Sequence, residues 1–249
     1  MRSVTTYRFG VRRRQLLSIL GVILAVGAGL WLTTLRIGGG HTTPNWAGYV
    51  VQTSSKVSMV SGTWTIPTLD CILTPNARAT TWVGVGGFGT EATWPFPQTG
   101  IDTNCVHGRQ ITDSWCSHGT FKFSSASAGD VITARLRRRQ ETWTCAVKNV
   151  TTGRTEAAQL NYRYNGIANT TEWIVENPTL ASRRASRLAS RLGTLADFRH
   201  LTFSKLKMAP QPLVVGNRRS TGDISMSSTV HGIVAWPSWS GNKMTVHFR

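Results

Sequence analysis

Glu172 and Glu176 bracket Trp173-Ile174-Val175, and far upstream Gln98 opens the segment Gln98-Thr99-Gly100-Ile101-Asp102. A carboxyl or amide set among aromatic and β-branched neighbours is a poor core choice at neutral pH but a sensible catalytic one. Burial disfavours the charged carboxylate and raises its pKa, giving a group suited to acid–base work in acid. An amide supplies both a donor and an acceptor without titrating. In a strand, residues 172, 174 and 176 share one face, and a rise of ~3.3 Å per residue sets the two glutamates ~13 Å apart. Retaining glycosidases need carboxyls ~5 Å apart and inverting ones up to ~9.5 Å. The two glutamates are therefore not such a pair by themselves, and the plain alternative for each is an exposed edge-strand side chain.

Other chemistries are poorly served. Gly84-Val85-Gly86-Gly87-Phe88-Gly89 fits the dinucleotide pattern G-x-G-x-x-G, but that pattern works only where its last glycine opens a helix. Thr93-Trp94-Pro95-Phe96-Pro97 follows instead and cannot be helical. No G-x-S-x-G elbow or H-E-x-x-H pair occurs, and the six histidines are scattered singly. Four cysteines, Cys71, Cys105, Cys116 and Cys145, lack zinc-ribbon spacing and allow three disulfide pairings. No metal site is expected.

The elements that must hold such residues are strands. Val57–Ile66, Asp130–Arg137 and Trp143–Val150 are rich in β-formers or alternate apolar with polar residues, and Val230–Trp236 and Met244–Phe248 flank the turn signal Ser240-Gly241-Asn242. Ten or more strands without intervening helices predict an all-β antiparallel sandwich or barrel. One segment departs. In Thr179–Leu192, Ala181, Ala185, Leu188 and Leu192 fall on one helical face and Arg183, Arg187 and Arg191 on another. A short basic amphipathic helix is expected there, covering a sandwich edge with its arginines solvated; the alternative is a helix resting on anionic lipid.

The 249 residues carry a net charge of +17, with six arginines and no acids in residues 1–40 and a net +11 in the remainder. A basic surface of that size suits nucleic acid, yet no zinc-finger, homeodomain or RNA-recognition pattern is present, and no specific nucleic-acid partner is expected. Arg8, Arg12, Arg13 and Arg14 precede an uncharged run from Leu16 to Leu35. Twenty such residues can cross a hydrocarbon core of ~30 Å, with the arginines on the cytoplasmic side. Residues 1–15 are thus expected to be a basic cytoplasmic region, 16–36 a signal peptide or signal-anchor helix, 37–44 a linker and 45–249 the exported β-domain. A small-residue cleavage site at Ala25-Val26-Gly27-Ala28 and an uncleaved anchor both fit.

Taken with Asn45-Trp46-Ala47-Gly48 and Thr81-Trp82-Val83-Gly84, the Gln98 and Glu172–Glu176 segments resemble the eqolisin family, the glutamic peptidases. Asp113-x-Trp115, Gly129-Asp130, Thr151-Thr152-Gly153 and Leu195–Phe198 continue the likeness in order. The resemblance implies a concanavalin A-like, lectin-like sandwich of two curved antiparallel sheets. It implies that Glu176 and Gln98 are the catalytic pair and that Asn45, Trp46, Trp82, Asp102, Asp113 and Trp115 line the substrate cleft. Glu176 would deprotonate a water that attacks the peptide carbonyl, and Gln98 would stabilise the oxyanion, with no metal or cofactor required. The expected protein is an exported, monomeric endopeptidase, tethered to the membrane if its N-terminal helix is retained, whose activity falls past neutrality. Two departures stand out. Gly86 occupies a position where fungal members carry aspartate, and Cys116-Ser117-His118-Gly119-Thr120 replaces an acidic, aromatic run that lines the family's cleft. That second change motivates the alternative of a weakly active or inactive lectin-like sandwich binding carbohydrate or an anionic envelope polymer.

Overall fold

Buried and exposed side chains alternate along strands with one solvated face, such as Val131–Arg139, while strands covered on both faces, such as Arg78–Val85 and Thr170–Glu176, read as continuous buried runs. The computed structural model describes residues 40–89, 92–117, 121–180, 191–210, 221–228 and 232–249. Among them lie β1 (His41–Thr43), β2 (Trp46–Gln52), β3 (Met59–Thr65), β4 (Arg78–Val85), β5 (Gln98–Val106) and β6 (Arg109–Cys116). There follow β7 (Phe121–Ser125), β8 (Val131–Arg139), β9 (Thr142–Asn149), β10 (Thr155–Gln159), β11 (Thr170–Glu176) and β12 (Thr179–Leu180). The last are β13 (Arg191–Leu192), β14 (His200–Ala209), β15 (Thr221–Ser228), β16 (Gly232–Ser240) and β17 (Lys243–Phe248).

The expected all-β antiparallel sandwich is what forms. One layer runs β10-β9-β8-β3-β14 and the other β14-β17-β16-β15-β2-β11-β4-β5-β6-β7, with β1 added in parallel to β15. The two layers share β14. Its first half, His200–Phe203, pairs with β17, and its second half, from Ser204 on, pairs with β3 with a register shift between Ser204 and Lys207. Such a bulge bends a strand, and here it lets one strand turn the corner between the layers.

Between the layers lies a mainly apolar core. Trp64, Ile132, Leu136 and Cys145 face it from the first layer, and Val83, Ile101, Trp173 and Val175 from the second; each is at most 2% exposed. Trp173 donates its indole N–H to the Ser61 carbonyl across the layers at 2.9 Å. Its burial alone contributes about 4–6 kcal/mol at ~25 cal/mol per Å². Of the three possible pairings, Cys71–Cys105 and Cys116–Cys145 are formed; the second ties β6 to β9 and so joins the layers. Pro237 sits in β16 past Ala235, where pairing with β15 has ended and a missing N–H costs nothing.

Two sequence expectations need correction. Residues 181–190 of the expected amphipathic helix lie outside the described residues, but its ends are not helical. Thr179 pairs with Leu192 and Leu180 with Arg191 as a two-stranded antiparallel ribbon, so cross-strand pairing overrides the helical period there. His41–Thr43, assigned to a linker, form β1. The segment expected to span or enter a membrane, 16–36, also lies outside the described residues, among which no helix is long and apolar enough to cross one.

Candidate active site

Strand register assembles the site. In an antiparallel sheet, residues opposite one another point to the same face. Across β2, β11, β4, β5 and β6, one row reads Trp46, Glu176, Thr80, Asp102 and Asp113. The next reads Gly48, Ile174, Trp82, Gly100 and Trp115, and a third Val50, Glu172, Gly84 and Gln98. Trp173 and Val83 point the other way, into the core, so these rows line the outer face of the second layer. All six expected cleft residues and both expected catalytic residues belong to this face or, like Asn45, to its edge.

Two side-chain donors hold the Glu176 carboxylate. Trp82 donates its indole N–H to Oε2 at 2.8 Å, and Asn45 donates Nδ2–H to Oε1 at 3.2 Å. The Trp46 indole N–H also lies toward this carboxylate and helps hold its pKa down, although it stays outside hydrogen-bond geometry. Desolvation outweighs these donors and, with the nearby Asp102 charge, pushes the Glu176 pKa up to about 7. The side chain nevertheless keeps some contact with solvent, whereas Gln98 is only 3% exposed. The two stand two strands apart and four residues along the sheet. In a flat sheet that separates their Cα atoms by ~16 Å, whereas Glu172 shares the row of Gln98 and stands ~10 Å from it.

Aromatic rings wall the carboxylate. Trp46 meets Trp82 edge-on with centroids 5.0 Å apart, and Phe96 approaches both, at 6.1 and 5.8 Å. Two glycines make this possible. A Cβ on Gly100 would come within 2.1 Å of the Thr81 carbonyl oxygen, and one on Gly84 within 2.6 Å of the Trp82 ring. Beside them, Asp102 accepts from Thr80 Oγ1 at 2.8 Å, and burial raises its pKa. The row thus brings Asp102 nearer to Glu176 than Gln98 is, with only Thr80 between them.

Sequence reasoning gave Phe96 and Tyr164 no role and took Glu172 only as the first glutamate of its motif. Phe96 stands between Pro95 and Pro97, and only that rigid W-P-F-P setting hinted at a wall. Glu172 is fully buried; its Oε1 accepts from Gly87 N–H at 3.0 Å and Thr170 Oγ1 at 2.6 Å, while Oε2 has no partner. Burial raises its pKa to about 7 as well. Tyr164 explains the first family departure. Its hydroxyl donates to the Gly86 carbonyl and would lie 2.1 Å from any Cβ at Gly86, whose φ is +79°. Tyrosine thus occupies the space an aspartate would need.

The second departure also has a structural account. Cys116 is bonded to Cys145 in the opposite layer, and Ser117 N–H donates to the Gln98 carbonyl at 2.9 Å. A cross-layer tether stands at this point, and it braces the backbone of the strand that carries Gln98. A cavity of about 570 Å³ lined by Leu195, Val234 and Phe248 carries none of the site's acids.

Comparison with known proteins shows the family and the fold. Residues 44–237 match the Peptidase A4 family, while no curated protein matches the chain. Among solved structures, SCP-B, described as a member of the eqolisin family in complex with the tripeptide Ala-Ile-His, superposes with a TM-score of 0.69 at 20% identity. That match covers 83% of this chain and 98% of SCP-B. Scytalido-glutamic peptidase with a transition-state analogue inhibitor gives 0.68 at 20% identity over the same shares. Aspergilloglutamic peptidase from Aspergillus niger gives 0.52 at 22% over 70% of this chain and 99% of its own. The chain belongs to the Peptidase A4 family, the eqolisin glutamic peptidases.

Proposed function

We propose that the chain is an exported endopeptidase in which Glu176 and Gln98 cleave peptide bonds by direct attack of water. The Glu176 carboxylate takes a proton as the water oxygen adds to the carbonyl carbon. Gln98 Nε2–H donates to the oxyanion of the tetrahedral intermediate. Glu176 then gives its proton to the amide nitrogen as the C–N bond breaks, releasing an amine and a carboxylate. The aromatic wall of Trp46, Trp82 and Phe96 excludes water and strengthens these interactions. The observation that carries this reading is a partly exposed glutamate held by two donors, on the same sheet face as a buried amide. Two disulfides fit an oxidising compartment, which supports export.

One expectation changes sign. A general base must be ionised to act, so a pKa near 7 places the rising limb of activity there; a fall past neutrality would need a second group that must stay protonated.

The test is hydrolysis of an internally quenched peptide by the full chain in a non-ionic detergent. Glu176→Gln and Gln98→Ala should each lose at least ~10²-fold in kcat, the size seen when an oxyanion donor is removed, with circular dichroism unchanged. Asp102→Asn should lose less than ~10-fold. If Gln98→Ala stays active while Asp102→Asn is dead, a Glu176–Asp102 carboxyl pair does the chemistry and the glutamine mechanism is wrong.

A further inference from the structure

On the far side of the sandwich, the outer face of β14, β3, β8, β9 and β10 carries cations without acids. Register sets Lys207, Ser61, Arg135, Ala146 and Ala157 in one row. Thr63, Thr133, Lys148 and Thr155 form the next, with Lys205 at the β14 bulge beside them, and Arg137 continues the face along β8. Arg135, Arg137, Lys148, Lys205 and Lys207 are all exposed. The described ion pairs join Arg138, Arg154 and Arg163 to Glu141 and Glu156 and involve none of these five. Between the basic side chains, the small residues Ser61, Thr63, Thr133 and Ala146 leave a shallow groove of about 520 Å³. Ser61 and Thr63 are buried although they point outward, as expected where long basic side chains lay their methylene stems over them.

Like charges clustered on one sheet face oppose folding, and no carboxylate on this face relieves them. A polyanion would. The groove's shape and lining narrow the class. It is concave, which fits a chain better than a planar bilayer, and Met59 is the single large apolar side chain among its lining residues, too little to anchor the face among acyl chains. It also has no aromatic ring on which a base could stack, the usual platform for single-stranded nucleic acid.

We propose that this face binds a linear, phosphate-rich polyanion lacking bases, held on the side of the sandwich opposite Glu176. Bound there, the polymer leaves the peptidase face open and keeps the enzyme on an anionic matrix.

The experiment measures binding of fluorescent long-chain inorganic polyphosphate to the full chain in non-ionic detergent, across a salt series. The variant Arg135→Gln/Lys148→Gln/Lys205→Gln/Lys207→Gln is compared with Lys56→Gln/Arg109→Gln/Arg199→Gln/Lys243→Gln, which removes the same charge elsewhere. Releasing ~0.7 counterion per lost contact, the first variant should flatten the slope of log K against log salt by about 3 and bind at least ~10-fold more weakly at low salt. The second should bind as wild type does, both should keep wild-type peptide hydrolysis, and the first should melt no lower than wild type, since it relieves like-charge repulsion. Equal weakening in both variants would mean net charge alone acts, overturning the proposal. So would tighter binding to single-stranded DNA, or capture by phosphatidylglycerol vesicles without capture by polyphosphate.

Discussion

Replacing Trp82 by phenylalanine should move the rising limb of the pH–rate profile toward alkali. The indole N–H, 2.8 Å from Glu176 Oε2, favours the ionised carboxylate and thereby opposes the desolvation that lifts its pKa to about 7. A hydrogen bond to a charged group is worth ~1.5–3 kcal/mol, and ~1.36 kcal/mol corresponds to one pKa unit. Removing it should raise the pKa by about one to two units, toward the lower figure if a water enters beside the smaller ring. Well below the limb, kcat/KM should fall ~10-fold or more, while near the alkaline plateau the deficit should shrink. The assay is kcat/KM on a quenched peptide from about pH 4 to about 10, with the limb fitted as a single ionisation. The limb's position is the readout, since its height also registers any loss of cleft contact. A limb that stays in place, or moves toward acid, would refute both the base assignment and the role given to the indole.

Two further outcomes follow from the buried groups. The folded-state pKa of Glu172, about 7, exceeds its ordinary 4.5, so its stabilising contribution is complete below pH 4.5 and is lost as pH rises through 7. Glu172→Gln keeps an acceptor for Gly87 and Thr170, and its stability relative to wild type should climb by up to ~3 kcal/mol between about pH 4 and 8; parallel urea curves at all pH values would show that the carboxyl does not titrate in this window. Replacing Cys116 and Cys145 by serine opens a link between residues 29 positions apart, which should cost about 3–4 kcal/mol in a denaturant titration. A loss below ~1 kcal/mol would mean that the tether constrains the unfolded chain very little.

Much of the β-domain was legible because period-two alternation in segments such as Asp130–Arg137 follows directly from one face meeting a core. Where both faces are covered, as in Thr170–Glu176, alternation vanishes, and there the spacing of Glu172 and Glu176 served instead. Long-range register is not written locally. No short-range feature says that Thr80 stands between Glu176 and Asp102, or that Glu172 falls in the row of Gln98, because these alignments depend on packing across the whole sheet. The Arg-rich stretch misled at its ends for a related reason. Leu192 fits the helical face of Ala181, Ala185 and Leu188, but its pairing with Thr179 makes it part of a strand. Disulfide pairing was equally hidden, since Cys116 and Cys145 meet only once two layers stack. Phe96 and Tyr164 escaped notice because their roles lie in the glycines they cover, at positions 84, 86 and 87.

A strand belonging to both layers leaves the molecule without a seam. Amide ladders run unbroken from β10 around the bend at β14 to β7, so neither layer can peel away while the other stays intact. Loosening must begin at the outermost strands and travel inward, and β11, with partners on both sides and both faces covered, would be among the last to yield its protons to exchange. Glu176, the proposed base, therefore rides on an interior strand with partners on both sides.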